Sequence, residues 1–334
     1  MSIPPALQGR LRLPVIAAPL FIISSPPLVI AQCTSGIVGS FPSLNARPLS
    51  QLDEWLCEIR EALAAWDRDH PDRPAAPFAV NQIVHRSNDR LEPDLDLCVK
   101  HRVPMVITSL GARVDLNDAV HSYGGIVLHD VIDSTFAHKA IEKGADGLIP
   151  VAAGAGGHAG PLSPFALMQE IRDWFDGPVA LSGAIAHGAS ILAAEAMRAD
   201  FAYIGSPFIA TQEARADEAY KRAIVEATDR DIVYSSLFTG VHGNYLRPSI
   251  VASGLDPDNL PHGDPSMMNF GSGSASNAKV WRDIWGCGQG IGPIDAVRPT
   301  AELIARWSDQ YDEARRALGL ANTEHRGLQS ASTA

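Results

Sequence analysis

The residues best suited to chemistry lie in one short run, Gly154-Ala155-Gly156-Gly157-His158-Ala159-Gly160-Pro161. A histidine flanked by glycines has almost no neighbouring side-chain bulk, so its imidazole can face a ligand directly and exchange a proton near neutral pH. The structural alternative is a loop histidine held for turn hydrogen bonds, which accounts less well for the surrounding glycines. Two further runs, Leu181-Ser182-Gly183-Ala184-Ile185-Ala186-His187-Gly188 and Tyr203-Ile204-Gly205-Ser206, place glycine where an apolar stretch ends. Bare backbone there approaches a ligand closely and offers amide N–H groups to an anion, although the same glycines also suit tight turns.

Other chemistries leave no trace. There is no His-Glu-x-x-His or similar clustering, so no catalytic metal is expected, and no Gly-x-Ser-x-Gly elbow to favour a hydrolase. His129-Asp130 is a possible acid/base pair, but neighbours on a strand alternate faces, so the two cannot both point inward. The four cysteines (Cys33, Cys57, Cys98, Cys287) form no Cys-x-x-Cys pair and read as reduced thiols of a cytoplasmic protein. With 27 basic and 38 acidic residues the net charge is −11, which argues against nucleic acid and anionic lipid as partners. The uncharged stretch from Leu13 to Ala31 is interrupted by Pro14, Pro19, Pro26 and Pro27, so it reads as strand, loop and short helix rather than as an export signal or a membrane span.

Stepping outward from these runs, eight β-rich apolar segments must position them: Leu13 to Ala18, Gly36 to Phe41, Phe78 to Val84, Met105 to Ser109, Gly125 to His129, Gly147 to Ala152, Val179 to Ser182 and Phe201 to Gly205. They are continuous rather than alternating, as parallel strands covered on both faces require. Amphipathic stretches separate them, such as Gln51 to Arg68 with Leu52, Trp55, Leu56, Ile59 and Leu63, and Ser163 to Phe175 with Ser163 as a cap. Eight alternations favour an α/β fold of the (β/α)8 TIM barrel type, with an open doubly wound sheet second because a strand count does not show closure.

Residues 1–213 are expected to form the barrel and 214–294 a loop-rich inserted subdomain. Residues 295–320 would be the final barrel helix (Thr300 to Leu318) and 321–334 a flexible tail. The insertion opens with a helix over Ala214 to Thr228, then turns rich in Gly, Pro, Ser and Asn, including Gly-Ser-Gly-Ser at 271–274 and Gly-Cys-Gly-Gln-Gly-Ile-Gly at 286–292. In a barrel the site forms at the carboxyl ends of the strands. Those ends supply Ala18 and Pro19, Ser40, Asn81 and Gln82, Thr108 and Ser109, His129 and Asp130, the run around His158, Ser182 and Gly183, and Gly205 and Ser206. The loops after the seventh and eighth strands are the recurrent phosphate cradle of such barrels.

With these residues in view, the chain resembles the nitronate monooxygenases, FMN-dependent (β/α)8 barrels with an added substrate-side domain. Pro14-Val15-Ile16-Ala17-Ala18-Pro19-Leu20 is similar to the family's first strand and flavin-side loop, with Leu20 where methionine is usual. Ala155-Gly156-Gly157-His158 matches the A-G-G-H signature, and Ser182-Gly183-Ala184-Ile185-Ala186 with Gly205-Ser206 resembles the phosphate-holding G-G-I-A and G-T segments. Three departures bear on substrate: His129-Asp130-Val131 stands where a lysine near the flavin is frequent, Gly154 where a glutamate is common, and Gly240 to Arg247 replaces G-R-x-A-R.

The resemblance implies FMN as cofactor, held by Ala18, Pro19, Leu20, Asn81, Gly157, Ser182, Gly183, Ala184, Gly205 and Ser206, with His158 as the catalytic residue. It implies oxidation of alkyl nitronates by O2 to a carbonyl compound and nitrite. An NAD(P)H-dependent flavin reductase acting on a quinone or enoyl thioester is the alternative, since related barrels share the A-G-G-H loop. His242, Asn244, Tyr245 and Arg247 are candidates to cap a small-molecule substrate; Tyr245 and Arg247 are equally suited to anchoring the loop to the rim. Trp281 and Trp285 are expected in the subdomain core, and a homodimer is left open.

Overall fold

The computed structural model describes residues 4, 7–264, 266, 268–270 and 282–320; the expectations for 271–274, Trp281 and the tail at 321–334 lie outside the described residues. Chain order runs β1 (Val15–Ala17), α1 (Pro26–Thr34), β2 (Gly39–Pro42), α2 (Leu49–Asp69), β3 (Phe78–Ile83), α3 (Leu91–Lys100), β4 (Met105–Ser109), α4 (Val114–His121), β5 (Ile126–Val131), α5 (Ser134–Glu142), β6 (Gly147–Pro150), β7 (Gly157–His158), α6 (Pro164–Arg172), β8 (Ala180–Ser182), α7 (Gly188–Ala196) and β9 (Phe201–Ile204). After the short α8 (Ser206–Ile209) come α9 (Glu218–Glu226), β10 (Ile232–Ser235), β11 (Gly243–Leu246), α10 (Arg247–Ala252) and α11 (Thr300–Ala317). Among the described residues no helix is long and apolar enough to cross a membrane.

Eight of these strands close a parallel ring. β2 to β6 pair in sequence order, and β1 pairs β9, which pairs β8. Two seams join the arcs: Ile16 bridges Val38 just before β2, while Leu148 and Val151 bridge Val179 and Ser182. The expected barrel is therefore formed, and the open sheet is ruled out by these seams.

Alternation along each strand sorts its side chains. Ile16, Val38, Ala79, Met105, Ile107, Leu128, Ile149, Ala180, Phe201 and Tyr203 share one apolar cluster in the lumen, joined by Leu7 and Leu11 from the segment before β1. Outward residues such as Val80, Val106 and Val127 pack under α2 to α4, and Val179, Leu181 and Ile204 under α6, α7 and α11. The buried pair Arg172–Asp200, at 2.7 Å, fixes the starts of β8 and β9, because Asp200 also accepts from the Val179 amide.

The final helix packs against the ring. The Trp307 indole on α11 donates to the Ala186 carbonyl, and Gln310 accepts from the Gly188 amide at the start of α7. Element bounds differ mostly by a turn. α6 begins at Pro164, and Ser163 precedes it without a side-chain capping bond; α9 starts at Glu218 because Asp217 accepts from the Ala219 amide and caps it there. His187 does the same for α7 through Ala189.

The insertion is not loop throughout. β10 and β11 pair antiparallel, and β11 pairs β7, giving a small sheet in which Gly243 lies opposite His158 and Asn244 opposite Gly157. Its own core is small, with Tyr245, Ile250 and Ile284 at the centre.

Candidate active site

A cavity of about 650 Å3 opens at the carboxyl ends of the barrel strands. Its wall includes His158 together with Ala18, Pro19, Leu20, Asn81, Gly157, Ser182, Gly183, Ala184, Gly205 and Ser206, so residues from five separate strand ends meet in one place.

The loop after β1 is shaped by a residue with no catalytic look. The Asn45 side chain donates to the carbonyls of Leu20 and Ser24 (2.9 and 2.8 Å) and accepts from the Ile22 amide (2.7 Å). Ile22 there takes a positive φ of 61°. Backbone groups satisfied this way hold the Ala18–Leu20 segment against the cavity without regular secondary structure.

After β8 the chain turns through Gly183 at φ 140°, where a Cβ would stand 2.9 Å from the Ala153 carbonyl oxygen. Ala184 follows at φ 54°, a left-handed conformation that costs an L residue about 1 kcal/mol. Among the described residues the amides of Gly183, Ala184 and Gly205 donate to no backbone carbonyl. This turn and the one after β9 therefore offer N–H groups and bare backbone at the cavity wall, the chemistry an anionic phosphate requires.

Polar groups line the floor. Asn81 donates to Ser109 Oγ (2.8 Å) and to the Ile107 carbonyl. Ser109 and the Leu110 amide in turn hydrogen-bond Asp130, whose carboxyl burial pushes up to about 6 against those bonds. Tyr203 lies close enough for the Asp130 charge to raise its phenol further, beyond the larger effect of burial. Adjacent strand residues do face apart: His129 turns to Thr108, Nδ1 to Oγ1 at 2.6 Å, and burial, helped by the Lys143 charge, lowers it to about 4.

His158 is half-buried on β7. Its Nε2 lies 2.8 Å from Thr239 Oγ1, and that hydroxyl donates its single proton to the Val241 carbonyl at 3.1 Å. With the Thr239 proton on Val241, the imidazole donates from Nε2 and carries its lone pair on Nδ1. Burial lowers this imidazole to about 4, so it is neutral at pH 7.

None of the four residues expected to cap the substrate is among those that line the cavity. His242 is exposed and stacks on Tyr234 (5.0 Å between centroids). The Asn244 amide is spent on the Ala155 carbonyl at 2.7 Å, Tyr245 is fully buried against Phe238, and Arg247 forms a two-bond ion pair with Asp258. Asn244 thus ties the insertion to the loop that carries His158, the contacts described for the other three lie within the insertion, and Val241, Asn269, Phe270, Gly286, Gly288 and Gly290 supply the wall. Trp285 stacks on Tyr220 (4.9 Å, 8°) at the edge of the barrel core.

The glycines of the 286–292 run have a specific task. A Cβ on Gly288 would stand 2.5 Å from the Gly154 carbonyl oxygen, and one on Gly156 2.7 Å from the Gly288 nitrogen. Main chain lies directly on main chain, with Gln289 N donating to Gly154 O (2.9 Å) and Gly288 N to Ser206 Oγ (2.8 Å). Sequence reasoning passed over Asn45, Thr239 and Gly288 as site-shaping residues. Only the density of glycine at 286–292 hinted at the last.

Outside the cavity, Asp53, Cys57 and His101 bring possible ligand atoms within 4.8 Å on α2 and after α3, but Lys100 and His101 already engage the Asp53 carboxylate.

Comparison with known proteins fits this geometry. Residues 10–257 match the family model of nitronate monooxygenase. The nitronate monooxygenase of Paraburkholderia phytofirmans is 26% identical over 348 residues, 88% of this chain and 90% of that protein. A monooxygenase-type protein of Mycobacterium tuberculosis is 26% identical over 242 residues, 68% of this chain and 64% of its own length, so the matched stretch spans slightly less than two thirds of that relative. Among solved structures, nitroalkane oxidase from Streptomyces ansochromogenes superposes with a TM-score of 0.78 at 21% identity, covering 93% of this chain and 99% of that one, which shows the shared fold. The family match holds every barrel strand, the His158 loop and the glycine turns after β8 and β9, and by it the chain belongs to the nitronate monooxygenase family.

Proposed function

We propose that this protein is an FMN-dependent oxidoreductase that oxidises alkyl nitronates with O2 to a carbonyl compound and nitrite. One observation carries the reading: a neutral, half-buried histidine shares a single cavity with two turns that present bare amides.

The residues present fit the cofactor. Gly183, Ala184, Gly205 and Ser206 would hold its phosphate, with Ser206 Oγ still able to donate because it accepts from Gly288. The Ala18–Leu20 loop and Asn81 would flank the ring system. When bound, the flavin supplies the electron transfer that no side chain here provides.

His158 handles the proton. In the Nε2–H tautomer its Nδ1 can take the α-proton from a neutral nitroalkane, and the imidazolium so formed pairs with the nitronate anion it has just generated. Thr239 keeps the ring oriented throughout. A base lowered to about 4 is weak in the resting state, so the new ion pair in a water-poor pocket must offset its charging.

His158→Asn should lower turnover of a neutral nitroalkane on the order of 100-fold or more, lower that of the preformed nitronate less, and leave the flavin absorbance of the purified protein unchanged. Full activity in that variant would remove His158 from the mechanism. Rapid anaerobic bleaching of the flavin by NADH, with no nitrite formed from nitronate, would select the reductase alternative.

A further inference from the structure

Across the ring from the β9 turn, the cavity mouth has a different character. β4 and β5 end there, and Leu110, Ile132 and Phe136 line the wall while remaining 38%, 39% and 50% exposed. Large apolar side chains left in water at a cavity mouth mark a place where a ligand covers them.

Cations flank this shelf. The Lys143 ammonium is fixed by the Ala112 carbonyl at 2.8 Å, and Lys139 stands 5.6 Å above the Phe136 ring. Among the described residues the lysine ion pairs are those of Lys100 and Lys221, so no carboxylate neutralises Lys139 or Lys143. The described wall carries Arg47, Lys139 and Lys143 against one carboxylate, Asp130, in a chain with 38 acidic and 27 basic residues. A cationic edge on an acidic protein selects an anion. The cofactor phosphate reading does not account for it, because the amides that would take that phosphate belong to β8 and β9.

We propose that the crevice between the Gly111–Ala112 turn and α5 is a subsite for the far end of an amphipathic anion. The apolar body of the molecule lies on Leu110, Ile132 and Phe136, and its carboxylate or phosphate pairs with Lys139 and Lys143. This assigns the substrate class of the oxidoreductase reading and rests on that reading for the reacting end alone. A small alkyl nitronate satisfies His158 but leaves the shelf wet and the lysines unpaired. A longer chain or ring system with a terminal anion fills both.

The test is calorimetric titration of the purified protein, with its flavin content read from absorbance in the same sample. Octanoate is compared with octanol, which has the same apolar body and no charge, and both are compared in the Lys139→Met/Lys143→Met variant, whose side chains keep their apolar stems. Octanoate should bind about tenfold tighter than octanol, the preference should vanish in the variant, and 0.5 M NaCl should weaken it. Octanoyl-CoA reads the source of the charge. A larger loss for the thioester than for octanoate in the variant identifies a phosphate-bearing carrier, and the reverse identifies a free carboxylate. Equal binding of octanoate and octanol by the unaltered protein, or a preference that survives in the variant, overturns the subsite. A colourless preparation would count against the flavin reading and leave the calorimetric answer standing.

Discussion

The cavity has two walls of different origin. The barrel wall consists of strand ends, such as Asn81, Asp130, Ser182 and Tyr203, whose neighbours along each strand are buried in three apolar clusters. The insertion wall rests on a small core around Tyr245, Ile250 and Ile284 and is held to the barrel by main-chain contacts at Gly154, Gly156, Gly157, Gly243 and Gly288. Hydrophobic burial thus fixes where one wall stands, and steric bareness fixes the other. His158 belongs to both, since it follows β6 in the chain yet takes its strand partner and its hydroxyl acceptor from the insertion.

Damage to the barrel should register as lost stability and damage to the insertion as lost function. Trp307→Ala empties a site on α11 that is 1% exposed and packed edge-on against Phe208, and should cost ~3–5 kcal/mol in chemical denaturation. A midpoint unmoved by that change would erase the distinction. Gly288→Ala forces a methyl group into the Gly154 carbonyl, so turnover should fall on the order of tenfold while unfolding shifts by only ~1 kcal/mol. An unchanged turnover number would show that the seam does not position His158.

The smallest effect is electrostatic. Asp130, raised to about 6, loses its proton as pH climbs through that value and places a negative charge on the barrel wall. Affinity for an anionic substrate should therefore fall a few-fold between pH 5 and pH 7, and Asp130→Asn should flatten the profile of KM against pH. The folded state binds this proton more tightly than the unfolded chain does. Its stabilising contribution is thus complete below about 4 and is lost as pH rises through about 6. A profile that keeps its shape in the variant would assign the titration elsewhere.

Much of the barrel was legible because its strands are continuous buried runs. The expected stretch Met105 to Ser109 is β4 residue for residue, and Phe78 to Val84 overshoots β3 by one. Closure was not legible, since it depends on bridges such as Ile16 to Val38 that leave no local pattern. The strand ends brought to the cavity could be read from order alone, whereas the capping residues could not. His242, Asn244, Tyr245 and Arg247 have the polar character of a binding site, but β11 turns Asn244 toward the His158 loop and Tyr245 into the core, a direction set by its pairing partners, while His242 and Arg247 flank the strand and pair with Tyr234 and Asp258. β10 and β11 were hidden for the same reason: Gly243-Asn244-Tyr245-Leu246 is no strand by composition and becomes one by lying between Ile232–Ser235 and Gly157–His158.

A seam built largely of main chain on main chain reads few side chains, here Ser206 and Asn244. Gly154, Gly156 and Gly288 must stay bare, but the residues on either side of them are not read by the contact and are free to differ. The roof over the imidazole is for this reason open to exchange: a foreign segment carrying glycines at the same spacing and an amide in place of Asn244 would dock on the unaltered ring and present it with a new repertoire of substrates.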